Sequence, residues 1–161
     1  MLRLTGDNWA RICDHARRDY PAECCGIITR SKDGACDVRP CANIQDRLHE
    51  RMPDRHPRDS RTAYRMDDLE VFRVLDEAER SGKALAGFYH SHIDCDAYFS
   101  EEDRTAALFG EGPAYPGAVY LVLSVYGREV KGQRAFAWDE GSKSFQEVPI
   151  VIESPSRGSG Y

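Results

Sequence analysis

The run Ala118-Val119-Tyr120-Leu121-Val122-Leu123-Ser124-Val125 constrains the fold more than any other stretch of this chain. It is almost continuously apolar, as in a strand covered on both faces rather than on one. A sheet with such a strand needs helices on either side. Two amphipathic helices are available. Trp9, Ile12, Cys13 and Ala16 form one stripe, with Asp7 or Asn8 as the expected N-cap and Tyr20-Pro21 as the stop. Val71, Val74, Leu75 and Ala78 form the other, between an Asp67 cap and Gly82.

The remaining pattern reads as strands. Gly26 to Thr29 pairs with Ala35 to Ala42 around a Lys32-Asp33-Gly34 turn. Leu85 to His90 forms another strand, and Ser100 to Phe109 a third helix closed by Gly110. Glu129 to Trp138 and Lys143 to Ile152 form two more strands. The expected fold class is α/β, a mixed sheet flanked by helices. The length of 161 residues suits a single domain, placed at 1–153, with a flexible tail at 154–161. Between 46 and 66 lie six Arg, two His, two Pro and four acids, with little that is apolar. This reads as a long, exposed, Arg-rich insertion.

Charge and targeting signals narrow the function. A net charge of −5 argues against nucleic acid as the partner. No apolar run approaches transmembrane length, which argues against a membrane. No signal-peptide core is evident near Met1, so the cytoplasm is expected, with the six cysteines reduced.

The chemistry concentrates in His90-Ser91-His92 and the residues after it. Two histidines at i and i+2 on a strand share a face. Asp103, at the start of a helix, can complete an N,N,O ligand set, and a catalytic zinc uses three protein ligands with one open position. Asp94, Asp96 and Cys95 compete, but each lies so near His92 that the chain must return tightly. Ser100 and Asp103 also have the spacing of a capping box, a purely structural alternative. Nothing acidic lies between the histidines, so a base for the attacking water must come from elsewhere.

This pattern resembles the JAMM (MPN+) metalloprotease family, short prokaryotic type. That family has an upstream Glu, then His-x-His, seven residues, Ser, two residues and Asp. Here they are Glu23, His90-Ser91-His92, Ser100 and Asp103. Tyr20-Pro21-x-Glu23-x-Cys25-Gly26 and Gly87-Phe88-Tyr89 also match, and the resemblance runs roughly from Ala10 to Trp138. Two positions depart from it, Ile93 and Phe99, where the family usually has proline, and this sets substrate preference apart.

The resemblance implies an MPN fold, layered like the cytidine deaminases, whose Pro-Cys-x-x-Cys signature is absent here. It implies Zn2+ on His90, His92 and Asp103, Glu23 as general base, and Ser100 as an oxyanion donor. Cys24 and Cys25 become packing residues. The implied activity is cleavage after the C-terminal Gly-Gly of a small ubiquitin-like or sulfur-carrier protein. Removal of ubiquitin-like tags from lysines is an alternative, an inactive scaffold a more distant one, and a homodimer is an admissible assembly.

Overall fold

The computed structural model describes residues 1–154. The chain runs β1 (Leu2–Leu4), α1 (Gly6–Asp19), β2 (Cys25–Ser31), β3 (Cys36–Cys41), α2 (Gln45–Arg51) and α3 (Asp68–Arg80). It continues through β4 (Lys83–Ile93), α4 (Glu101–Ala106), β5 (Leu108–Phe109) and β6 (Gly112–Pro113). It ends with β7 (Val119–Tyr126), β8 (Glu129–Asp139), β9 (Ser144–Val148) and β10 (Ile150–Ile152). The main sheet has six strands in the order β3-β2-β4-β7-β8-β9, and only β4 and β7 run parallel. The fold class is therefore the mixed α/β sheet that the pattern implied.

The apolar run became β7, with seven of its eight residues buried, because it sits third from one edge with cover on both faces. On one face Ile12 and Ala16 of α1 pack with Ile28, Tyr89, Leu121 and Leu123. On the other, Val74 of α3 packs with Ile27, Phe88, Tyr120, Val122 and Phe136. Phe88 belongs to the α3 face and Tyr89 to the α1 face. Alternation therefore sends His90 and His92 to the α3 side. Gly87 allows β4 and β7 to meet, since a Cβ there would lie 2.0 Å from the Val119 carbonyl oxygen.

Several boundaries differ from the sequence reading. Thr5 caps α1, accepting from the Asn8 N–H at 3.2 Å, while Asp7 lies in the first turn instead. The short β1 pairs in parallel with β10, a long-range match invisible to local pattern. The expected strand at 143–152 is broken at Pro149, which has no N–H for the ladder. The third helix ends at Ala106, and Leu108–Phe109 instead pairs with Gly112–Pro113. The Arg-rich segment is mostly exposed, as expected, but it is not structureless. It contains most of α2 and buries Ser60 and Met66. Of the tail expected at 154–161, residues 155–161 lie outside the described part.

Candidate metal centre

His90 and His92 leave the C-terminal half of β4 on one face, and α4 begins opposite them. Their Nε2 atoms lie 3.2 Å apart, and Asp103 Oδ2 lies 3.2 Å from each. Three ligand atoms thus form an equilateral triangle. Tetrahedral coordination with bonds of about 2.0–2.1 Å has ligand separations of about 3.3 Å, so the triangle has the size of one tetrahedral face. A second, wider group joins a Glu23 carboxylate oxygen to the two imidazoles, all within 4.8 Å of one another. The tighter set is the better ligand triad, and Glu23 stands beside it.

Hydrogen bonding and burial put these atoms in the ligating state. His92 Nδ1 faces the Asp96 carbonyl oxygen at 3.1 Å, so Nδ1 carries the proton and Nε2 presents its lone pair. Burial holds His90 below its ordinary pKa, against the pull of Asp103. Burial alone would raise Asp103. The two adjacent imidazoles, His90 first, and the hydrogen bond from the Ser100 N–H outweigh it and keep the carboxylate well below the usual range. Neutral imidazoles and a carboxylate are what a divalent metal requires. Lone pairs pressed to 3.2 Å call for a cation between them, so the residues fit zinc.

Asp103 does two jobs. Its Oδ2 accepts from the Ser100 N–H at 3.0 Å, and Ser100 Oγ accepts from the Asp103 N–H at 3.1 Å. The capping box is therefore real. It also aims Asp103 at the histidines, and the hydroxyl proton of Ser100 remains free to donate into the cleft.

Glu23 is held by its main chain from three directions. Its N–H donates to the Ser60 carbonyl at 2.7 Å, and its carbonyl accepts from Asn43 Nδ2 at 2.9 Å. The next residue is clamped between the histidines: Ser91 Oγ accepts from the Cys24 N–H at 2.8 Å, and the Ser91 N–H donates to the Cys24 carbonyl at 3.1 Å. Burial, then the charges of Asp103 and Glu102, push the Glu23 carboxyl up to about 9, with Arg58 opposing. A divalent cation alongside favours the carboxylate instead.

The insertion forms one wall of the site, which its composition did not reveal. Asp46 accepts from the Ser60 N–H at 2.7 Å and from Ser60 Oγ at 2.8 Å, fixing the loop behind Glu23. Tyr64 stacks on His90 with ring centroids 4.4 Å apart. On the far wall Tyr98 meets His92 edge-on at 4.8 Å. Arg58 Nε reaches Glu102 Oε1 at 3.2 Å across the cleft. Sequence spacing carries no signal for Asn43, Asp46, Tyr64 or Ser91, since each acts through contacts distant in the chain.

None of the competing ligands takes a corner of the triangle. Asp94 adopts φ +53°, and its carboxylate accepts from the Tyr20 hydroxyl at 3.3 Å. Asp96 contributes its carbonyl to His92, and the Cys95 carbonyl accepts from Ser124 Oγ at 2.6 Å. Phe99, in place of the usual proline, is buried against Tyr120, Phe136 and Phe145 and pins the loop from below. Burial pushes the Cys24 thiol up to about 12, and that of Cys25 higher still. Neither offers the thiolate of a cysteine protease.

Fold and site define a hydrolase of peptide or isopeptide bonds. Comparison with known proteins gives the family: residues 6–139 match the prokaryotic homologs of the JAB domain, and the chain belongs to that family. It is 30% identical over 158 residues to the Desampylase of Haloferax volcanii, covering 94% of this chain and 96% of that one. It is 28% identical over 151 residues to the CysO-cysteine peptidase of Mycobacterium bovis, covering 94% and 92%. Its fold matches a JAB1/MPN domain protein of Archaeoglobus fulgidus with a TM-score of 0.53 at 14% identity, over 95% of this chain and 99% of that one. Among the described residues no helix is long and apolar enough to cross a membrane.

Proposed function

We propose that this chain is a zinc-dependent peptidase or isopeptidase that cleaves after the C-terminal Gly-Gly of a small ubiquitin-like or sulfur-carrier protein. The observation that carries this reading is the 3.2 Å triangle of His90 Nε2, His92 Nε2 and Asp103 Oδ2, with Glu23 alongside. Those three residues would hold the ion. When bound, zinc supplies the Lewis acidity that makes a water nucleophilic near neutral pH.

Glu23 takes the proton of the attacking water and returns it to the leaving nitrogen. Its pinned main chain keeps that carboxylate in one place through both transfers. The Ser100 hydroxyl donates a hydrogen bond to the developing oxyanion, a contribution of about 3 kcal/mol, or roughly 100-fold in rate. A tail of two glycines suits the cleft of about 270 Å³ whose walls include Tyr64, Phe88, Tyr115 and Tyr120, since it brings no side chains to clash with those rings. The six free cysteines, four of them buried, suit the reducing cytoplasm.

The similarity to the Desampylase favours a second reading, removal of ubiquitin-like tags from protein lysines. One assay tests both. Candidate carriers from the same genome, extended past Gly-Gly through Cys, a peptide or a lysine side chain, are incubated with the zinc-loaded protein and analysed by mass spectrometry. Cleavage after Gly-Gly is expected, and Glu23→Gln should reduce it by about 10²–10⁴-fold while zinc remains bound. Undiminished cleavage by Glu23→Gln would refute the mechanism.

A further inference from the structure

The two clefts beside the metal triangle differ in chemistry. One, of about 270 Å³, is walled by Tyr64, Phe88, Tyr115 and Tyr120, and the Tyr120 hydroxyl is buried there without a partner. Its one cation, Arg65, is already paired with Asp68 at 3.0 Å. The other, of about 190 Å³, contains Glu23, Ser100, Arg58 and Arg61. Tyr64, Asp103 and Ala106 line both, so a single path runs past the triangle.

The direction of the substrate follows from the proton. Resting on the reading of Glu23 as proton carrier, the departing nitrogen must lie on the Glu23 side, and so in the cleft that holds the two arginines. The acyl side then extends into the aromatic cleft.

We propose that Arg61, assisted by Arg58, binds a free α-carboxylate on the leaving group, so that the preferred substrate carries a single amino acid after the scissile bond. Among the described residues Arg61 has no acidic partner within ion-pair distance, whereas Arg58 is shared with Glu102. Both arginines belong to the turn that holds the base. Ser60 between them is buried, gripped by Asp46, and accepts the Glu23 N–H. Asp59 Oδ1 further fixes the turn by accepting from the Arg61 N–H at 2.9 Å. A guanidinium is the side chain best matched to a planar carboxylate. In the reaction the water oxygen bonds to the carbonyl carbon and the C–N bond breaks. The proton taken up by Glu23 passes to nitrogen, releasing the carrier carboxylate and a free amino acid. A lysine-linked substrate presents the methylenes of the lysine side chain at the same place and no carboxylate.

The test uses the carrier identified by the cleavage assay, extended after Gly-Gly by one alanine as the free acid or as the primary amide. The free acid should be cleaved with kcat/KM at least about tenfold higher, as a charge-assisted contact implies. In Arg61→Ala, and more so with Arg58→Ala added, the acid-to-amide ratio should fall towards one. Both rates are read in one preparation, so a loss of folded protein does not move the ratio. Three results would overturn the proposal: a ratio near one in the unmodified protein, a ratio that survives both substitutions, or faster cleavage of a lysine-linked conjugate than of the free acid. Failure of the functional reading is separate, because no carrier is then cleaved in the first assay.

Discussion

Replacing Asp46 with alanine should loosen the wall of the candidate site without unfolding the sheet. Asp46 lies in α2, and its carboxylate accepts two hydrogen bonds from Ser60, at 2.7 and 2.8 Å. Ser60 is only 6% exposed. Truncation therefore leaves its N–H and its hydroxyl nearly dry and unpaired. Each orphaned buried group costs about 1–3 kcal/mol, and partial entry of water brings the pair to about 2–4 kcal/mol. The loss is local, since the sheet and both apolar layers make no use of Asp46. At 1.36 kcal/mol per factor of ten, the turn around Ser60 should open about 30- to 900-fold more often. Hydrogen exchange read by NMR reports this directly, because the Glu23 amide donates to the Ser60 carbonyl and should lose protection together with the Ser60 amide. Amides in β7 and β8 should keep theirs. Activity should fall while zinc affinity stays nearly constant, because no triad ligand touches Asp46. Unchanged exchange at Glu23 and Ser60 in Asp46→Ala would sink the reasoning.

Three further outcomes are expected. Chelation should lower the melting temperature and added zinc should restore it, whereas Asp103→Asn should show little response to either; a metal-independent melting curve in the unmodified protein would count against the triad. Gly26→Ala should cost about 1–3 kcal/mol in urea unfolding, because its Cβ would lie 2.2 Å from Tyr89 Cε1 in a ring held by His15 at 2.7 Å; an unshifted midpoint would contradict that packing. His15 offers a pH test. Burial holds its imidazole below the ordinary 6.5, with Asp19 opposing. Folding therefore favours the neutral form: the contribution is complete above about pH 6.5 and is lost as the pH falls through that value towards the folded pKa. Between pH 7 and 5 the unmodified protein should lose more stability than His15→Gln, and parallel curves would rule this out.

Local sequence determined much of this protein. Period-3.6 stripes located α1 and α3, and largely apolar runs located β4 and β7, because burial on one face of a helix or on both faces of a strand imposes those patterns wherever the chain folds. The His90-x-His92 spacing and the Ser100-x-x-Asp103 cap were legible for the same reason, each being a device of one strand or one helical turn. Tertiary structure decided the rest. The pairing of β1 with β10 spans most of the chain, so no window of sequence contains it. The Arg-rich insertion reads as a solvated loop because its composition is polar. Its place as a wall of the candidate site rests on Ser60 against Glu23 and Tyr64 against His90, partners that lie elsewhere in the chain, with Asp46 holding Ser60. Glu23 shows the division most clearly. In sequence it is one carboxylate after a turn. It stands beside His90 and His92 because β2 runs antiparallel to β4 and Ser91 clamps Cys24 between the histidines. That registry is set by the burial of two whole strand faces, a property of the packed sheet rather than of the residues around Glu23.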